Sequence, residues 1–261
     1  MGMFNVLLTL GVVGGFLSGL LGLGGAIIMI PLMLTVPKIL GVGVLSMKAV
    51  AGLSMIQVVF ASLSGVARHR KNKFVSMKLI YTLGIAMAIG SGVGSIISKY
   101  MSNQVLMIAF GFIAVIAALM MFIPPKSEGS ENISRPDDIQ FNKPLAAILG
   151  IIIGGLAGMV GAGGGFILIP VMIYVLRIPI RITIGTSLGV VLIGAVIGAI
   201  GKMVTGQVDW LLALALIISS VPSAQLGSLV SKKTPALILR YSLTLLIILT
   251  SVEIWYKIIA V

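Results

Sequence analysis

Apolar residues run almost unbroken along most of this chain, in stretches of one recurrent length. Segments 4–36, 49–67, 79–98, 105–123, 145–176, 182–201, 210–230 and 236–254 each reach or approach the span of a membrane helix. A helix needs about 20 residues to cross about 30 Å of hydrocarbon. Segments 4–36 and 145–176 are too long for one ordinary span, and both hold a glycine cluster followed by a proline. The pattern predicts an all-α, polytopic integral membrane bundle with a glycine-broken helix in each half. The first segment lacks a basic region ahead of it and exceeds a signal peptide's apolar core, so it is read as retained structure.

The one long polar stretch, 124–143, carries Glu128, Glu131, Asp137 and Asp138 among several prolines. It cannot bury enough apolar surface to span. It divides the chain into an N-terminal unit, 1–123, and a C-terminal unit, 144–261, with the linker 124–143 expected on the cytoplasmic side. The units match each other. At an offset of 139, segments 11–31 and 150–170 agree at 10 of 21 positions, including six glycines and the closing proline. At an offset of 133, Gly52, Ser54, Gly65, Gly94, Ser95, Ser98 and Lys99 meet Gly185, Ser187, Gly198, Gly227, Ser228, Ser231 and Lys232. Registered glycines do not arise from apolar composition alone, so the chain reads as an internal duplication, a frequent transporter plan.

Orientation follows from the basic loops. Loop 68–78 carries Arg68, Arg70, Lys71, Lys73 and Lys78 and is expected to be cytoplasmic. The short elements after the glycine clusters, about 26–36 and 166–176, leave two arrangements. If each counts as a crossing, a half has five elements and the halves are inverted. If each returns to its starting side, the halves run parallel. Inversion places twelve of the eighteen Lys and Arg residues inside and is the expected arrangement.

Composition narrows the picture further. Hydrophobic residues make up 59% and charged ones 9% of the 261 residues, well below the roughly 25% charged residues of soluble domains. The net charge of +12 sits mainly at the ends of apolar runs, where it orients helices and meets headgroups; no nucleic-acid partner is expected. Absence of cysteine removes disulfides, thiol nucleophiles and Cys-based metal sites. His69, in the basic loop, is no metal or catalytic candidate, and no metal or cofactor is expected. A membrane-embedded enzyme would need converging His, Asp, Glu or Cys residues in the spans, and these are nearly absent.

The candidate chemistry lies in the glycine clusters. They read Gly19-Leu-Leu-Gly22-Leu-Gly24-Gly25-Ala26, then Pro31, and Gly158-Met-Val-Gly161-Ala-Gly163-Gly164-Gly165, then Pro170. Gly11, Gly15 and Gly19, like Gly150, Gly154 and Gly158, form small-residue stripes suited to helix packing. Packing does not require the adjacent glycines, each costing about 1 kcal/mol relative to alanine in a helix. A helix restarting at Ala26 or Phe166 presents free N–H groups and a positive dipole end, which bind anions without a charged side chain. Gly24, Gly25, Ala26, Gly163, Gly164 and Gly165 are therefore the expected substrate-binding backbone. Ser54 and Ser187, with Thr186 and Gln57, can complete an oxyanion's shell or can bond their own helix backbone. Lys48 and Arg181, at matching positions, can attract anions or anchor at the interface. Asp209 and Glu253 read as interfacial.

The repeated Gly-x-Gly-Gly-(Gly/Ala) and proline signature, Gly185-Thr186-Ser187, and the Gly-Gln-Val-Asp-Trp run at 206–210 resemble the TauE/SafE sulfite-exporter family over nearly the whole chain. The first copy departs from the family pattern at Ala51-Gly52-Leu53-Ser54 and at Ala26. The resemblance implies a transporter of sulfite, sulfonates or related sulfur-containing anions in the cell membrane, working within the lipid bilayer. A secondary exporter or facilitator is the expected function, with a proton or sodium ion as possible coupling ions. The alternative is a membrane scaffold or assembly factor without transport activity.

Overall fold

The computed structural model describes residues 2–71, 75–122 and 139–259. Most of linker 124–143 and part of loop 68–78 lie outside the described residues, as do the side chains of Arg68, His69, Arg70 and Lys71. Among the described residues the structure is all helix. In chain order come α1 (Met3–Leu21), α2 (Ala26–Ile39), α3 (Met47–Lys71), α4 (Met77–Ile97) and α5 (Asn103–Met121). Then follow α6 (Lys143–Val160), α7 (Gly165–Pro170), α8 (Ile180–Val204), α9 (Trp210–Lys233) and α10 (Ala236–Ile259). A π-helical turn, Val171–Val175, continues α7. Eight of these helices are long and apolar enough to cross a membrane; α2 and α7 with its π turn are the short ones.

Local chemistry sets the ends. Ser102, Asn142 and Asp209 cap α5, α6 and α9, each side chain accepting an N–H from the first turn. Asp209, expected at the interface, is therefore a helix cap. Both long apolar segments break where glycine enters the left-handed region: Gly22, Gly24 and Gly25 at φ of +76°, +73° and +81°, and Gly161, Gly163 and Gly164 at +80°, +62° and +73°. No side chain with a Cβ adopts that run cheaply.

α3 and α8 form the buried centre, and the other long helices surround them. The outer surface is apolar. On α4, Tyr81, Ile85, Ile89, Val93 and Ile96 form one exposed stripe, while Leu83, Met87 and Ser91 face inward. That outer stripe suits lipid, not water. The small-residue stripes make close backbone contacts. A Cβ on Gly19 would lie 1.9 Å from the Ala224 carbonyl oxygen of α9, and one on Gly158 would lie 2.3 Å from the Ser91 carbonyl oxygen of α4.

The order of these contacts gives the helix directions. Gly11 meets Leu216, Gly15 meets Ser220 and Gly19 meets Ala224, so α1 and α9 run parallel. α6 and α4 do likewise, through Gly150 with Leu83, Gly154 with Met87 and Gly158 with Ser91. α4 and α8 also run parallel, pairing Ile80 with Gly189, Met87 with Gly194 and Ser95 with Gly201. α3 and α8 are antiparallel, since Met55 meets Gly198 and Gly65 meets Leu188. α1 and α3 point the same way, with Gly14 near Gln57 and Gly19 near Gly65. The chain must therefore return between them, and α2 makes the return, laying Gly25 on Ser18 and Met29 on Gly14. The first short element is longer than the expected 11 residues, and the second keeps that length but is less regular. α2 has 14 residues and absorbs both Pro31 and Pro37, whereas its counterpart becomes a π turn after Pro170.

Candidate functional site

The two glycine breaks meet inside the bundle. A Cβ on Gly165 would lie 2.4 Å from the Leu23 carbonyl oxygen, so the start of α7 abuts the first break. Cβ atoms on Gly24 and Gly163 would both strike Val58, at 2.9 and 2.6 Å, and one on Gly24 would also meet Val191 at 3.1 Å. Val58 and Val191 lie at the middles of the 25-residue helices α3 and α8. The breaks thus sit at mid-depth between the two central helices, and residues 21–30 and 161–170 are all buried.

Each break leaves backbone donors open. Gly22 and Gly161 close the preceding helices by donating to the Ser18 and Ala157 carbonyls at 2.9 and 2.8 Å. The Gly25 and Gly164 carbonyls accept the first bonds of α2 and α7. The N–H groups of Leu23, Gly24, Gly25, Ala26 and Ile27, and of Gly163, Gly164, Gly165 and Phe166, find no acceptor among the described residues. Buried unpaired N–H groups are rare in folded proteins, and a ligand is one way to satisfy those at a helix end. Chemically, two opposed sets of such donors can hold a small anion in a low-dielectric interior.

The predicted side chains take different places. Ser54 and Ser187 cross between the halves: Ser54 donates to the Gly161 carbonyl at 2.7 Å and Ser187 to the Gly22 carbonyl at 2.9 Å. They reach the breaks but direct their protons to the carbonyls that close α6 and α1. Thr186 accepts the Ser76 N–H at 3.0 Å and so ties α8 to the chain entering α4. Gln57 is fully buried, and neither its Oε1 nor its Nε2 has a partner among the described residues. A Cβ on Gly14 would lie 2.5 Å from Gln57 Nε2, and the Gly14 carbonyl faces Gly25, which places the amide beside the first break. Lys48 and Arg181 open α3 and α8 at opposite ends of the bundle. Lys48 Nζ donates to the Lys99 carbonyl at 2.8 Å. Glu253 accepts from Thr35 Oγ1 at 2.6 Å and pairs with Lys257 at 3.2 Å, bolting α2 to α10.

Two polar groups escaped the sequence reading. Ser18 lies against Gly25, fully buried, and its hydroxyl lacks a partner among the described residues. In a helix otherwise full of glycine and leucine it was the available signal. Lys202 is fully buried near the end of α8. Its signal was a charge directly following an apolar run, which normally marks an interfacial anchor.

An apolar exterior, eight membrane-length helices and polar backbone turned inward at mid-depth define a multi-pass α-helical membrane protein of transporter type. The family profile described as Sulfite exporter TauE/SafE matches residues 7–254, and the chain belongs to that membrane-transporter family. It is 24% identical over 271 residues to the probable membrane transporter protein YunE of Bacillus subtilis, covering 97% of this chain and 98% of the relative. A second Bacillus subtilis protein, probable membrane transporter protein YdhB, is 28% identical over 92% of this chain and 94% of its own. A probable membrane transporter protein of Xylella fastidiosa is 26% identical over 89% and 87%. No solved structure matches the chain.

Proposed function

We propose that this protein is a secondary transporter of a small oxyanion, such as sulfite or an organosulfonate, bound where the two glycine breaks meet. The observation that carries the proposal is the pair of abutting, buried breaks whose amides lack acceptors. Each helix start presents roughly half a positive charge. Two of them facing one ligand supply about one charge without burying an ionised side chain, which would itself require compensation. Gln57 and Ser18 add uncommitted polar atoms at the first break. Gly24, Gly25, Ala26, Gly163, Gly164 and Gly165 form the backbone cradle, and Ser54 and Ser187 hold its rims by fixing the preceding carbonyls.

We further propose that units 1–123 and 144–261 are inverted repeats joined by a cytoplasmic linker. Support comes from the helix directions and from exchanged packing. α1 lies on α9 and α6 on α4, the first helix of each half on the fourth of the other, both in parallel. A half of five alternating elements also accounts for α1 running with α3 and α3 running against α8.

The test is flux into liposomes reconstituted with the pure protein. Sulfite or a sulfonate such as methanesulfonate should cross only with protein present, down its gradient or with a proton or sodium gradient imposed. Gly164→Val forces a branched side chain into the left-handed region and onto Met87 and Ala157. It should abolish flux in protein that still purifies as a monodisperse species. No flux of any oxyanion through the wild-type protein would reject the proposal and favour a scaffold.

A further inference from the structure

Lys202 is the one fully buried ammonium among the described residues. Its Nζ donates to Ser98 Oγ at 2.6 Å, to the Met159 carbonyl at 3.0 Å and to Gln207 Oε1 at 3.0 Å. All three donors are used, and all three acceptors are neutral. No carboxylate among the described residues pairs with it, in contrast to Lys257, which has Glu253. The other charge acting on it is that of Lys48, also positive. Geometry therefore satisfies the hydrogen bonds and leaves the charge unbalanced, an expensive state inside a membrane protein.

An interfacial anchor would reach outward to water. Lys202 instead lies beneath Gln207, which is partly exposed in the turn between α8 and α9. On its inner side it holds Met159, two residues before Gly161 begins the second break. α3 connects the same two places: Cβ atoms on Gly52 and Gly161 would lie 2.2 Å from the Gln207 carbonyl oxygen and 2.1 Å from that of Ala51. The ammonium thus stands between the α8–α9 end of the bundle and the second break.

We propose that Lys202, with Ser98 and Gln207, is a second anion-binding position, a staging site through which the oxyanion passes between that end of the bundle and the second glycine break. This rests on the reading of the protein as an oxyanion transporter. The anion supplies the missing negative charge. It takes the place of Gln207 Oε1 as acceptor from Nζ, and the Ser98 hydroxyl and the Gln207 amide can then turn to donate to it.

Binding is measured on the purified full chain by calorimetry and by thermal shift, with two probes. One is sulfite near neutral pH, where much of it is a dianion and a bound anion keeps Lys202 protonated; the other is methanesulfonate, a monoanion. Lys202→Gln keeps donors and removes the charge, Lys202→Met removes both, and Lys202→Arg keeps the charge. The Gln and Met variants should weaken sulfite binding by about tenfold or more, the scale of a lost charge-assisted hydrogen bond, and methanesulfonate binding by less. Lys202→Arg should retain most of the sulfite affinity. Wild-type affinity for sulfite in a folded Lys202→Gln protein would overturn the proposal. An equal loss for both probes would also overturn it, because a merely structural lysine does not distinguish ligand charge. Binding of neither probe to the wild-type protein would overturn the transport reading as well.

Discussion

Gly165→Ala isolates the contact between the two breaks. Gly165 opens α7 with an ordinary helical φ, so alanine introduces no backbone strain there. Helix propensity favours the change by up to about 1 kcal/mol. Against that stands one atom. The new Cβ would lie 2.4 Å from the Leu23 carbonyl oxygen, 2.6 Å from its carbon and 3.0 Å from its Cα. Ordinary contact begins at 3.4 Å, so the breaks must separate by about 1 Å (3.4 − 2.4). The obstacle is backbone and cannot rotate aside. Overpacking of this kind costs about 1–3 kcal/mol, so the net destabilisation is about 2 kcal/mol when the full propensity gain is realised and at most about 3 kcal/mol, and the variant still folds. If the proposed anion site is right, the larger effect falls on the ligand, because hydrogen bonds to an anion held from both sides weaken steeply with distance and angle. Anion affinity and flux should fall by about tenfold or more, since a positioning error of 1 Å can cost about a hundredfold. The assays are liposome flux and thermal unfolding followed by tryptophan fluorescence. Gly155→Ala is the control: its nearest atom, the Gly90 carbonyl oxygen, lies 3.8 Å away. If both variants match in flux and stability, the breaks do not touch and the site as drawn is wrong.

Ser54→Ala and Ser187→Ala each leave a buried carbonyl, of Gly161 or Gly22, without its hydroxyl donor. Each should lower stability by about 1–3 kcal/mol in thermal or denaturant unfolding, and a neutral result would remove these serines from the rims of the breaks. Gln57→Leu should do the reverse to the free protein, raising its melting temperature because two unpartnered buried atoms disappear, while it weakens anion binding. Unchanged anion affinity would take Gln57 out of the site. The chain has no native cysteine, so single cysteines report sidedness directly. Tyr100→Cys and Gly206→Cys should react with an impermeant thiol reagent from one face and Lys233→Cys from the other. Labelling of positions 100 and 206 from opposite faces would refute inverted halves.

The spans and both breaks were legible in the sequence because they depend on composition and on glycine's access to left-handed backbone. Gly24, Gly25, Gly163 and Gly164 take up positive φ where the motif placed them. What escaped was whatever a distant segment decides. Ser54 and Ser187 stood out by position and do bond their own helices at the Ala51 and Ile184 carbonyls, yet their shorter bonds go to carbonyls of the opposite half, which no local pattern reveals. Gln57 is open in sequence to two readings, a group completing an oxyanion's shell or one bonded to its own helix, and the fold leaves its amide unpartnered among the described residues. Lys202 looked like an anchor because its burial depends on how the α8–α9 turn lays Gln207 over it. The basic loop 68–78 is shorter than its charges suggested, since α3 continues to Lys71.

The first copy's departures from the repeated motif have a physical rationale. Gly165 must lack a side chain because it presses on Leu23. Its counterpart Ala26 carries a methyl group, and both are fully enclosed. The repeat therefore need not obey the same steric rule on both sides of the contact. Polarity differs as well. Ser18 and Gln57 flank the first break, whereas the equivalent positions in the second copy, at offsets of 139 and 133, are Ala157 and Val190. Opposed amides alone would receive a symmetric anion from either side equally. If the proposed site is right, a hydroxyl and an amide at the first break and the Ala157 methyl beside Gly164 at the second would give an anion with unlike ends a preferred direction, its oxygens toward Gln57 and its carbon toward Ala157. On the proposed reading, that asymmetry would let such a fold distinguish an organosulfonate from bare sulfite.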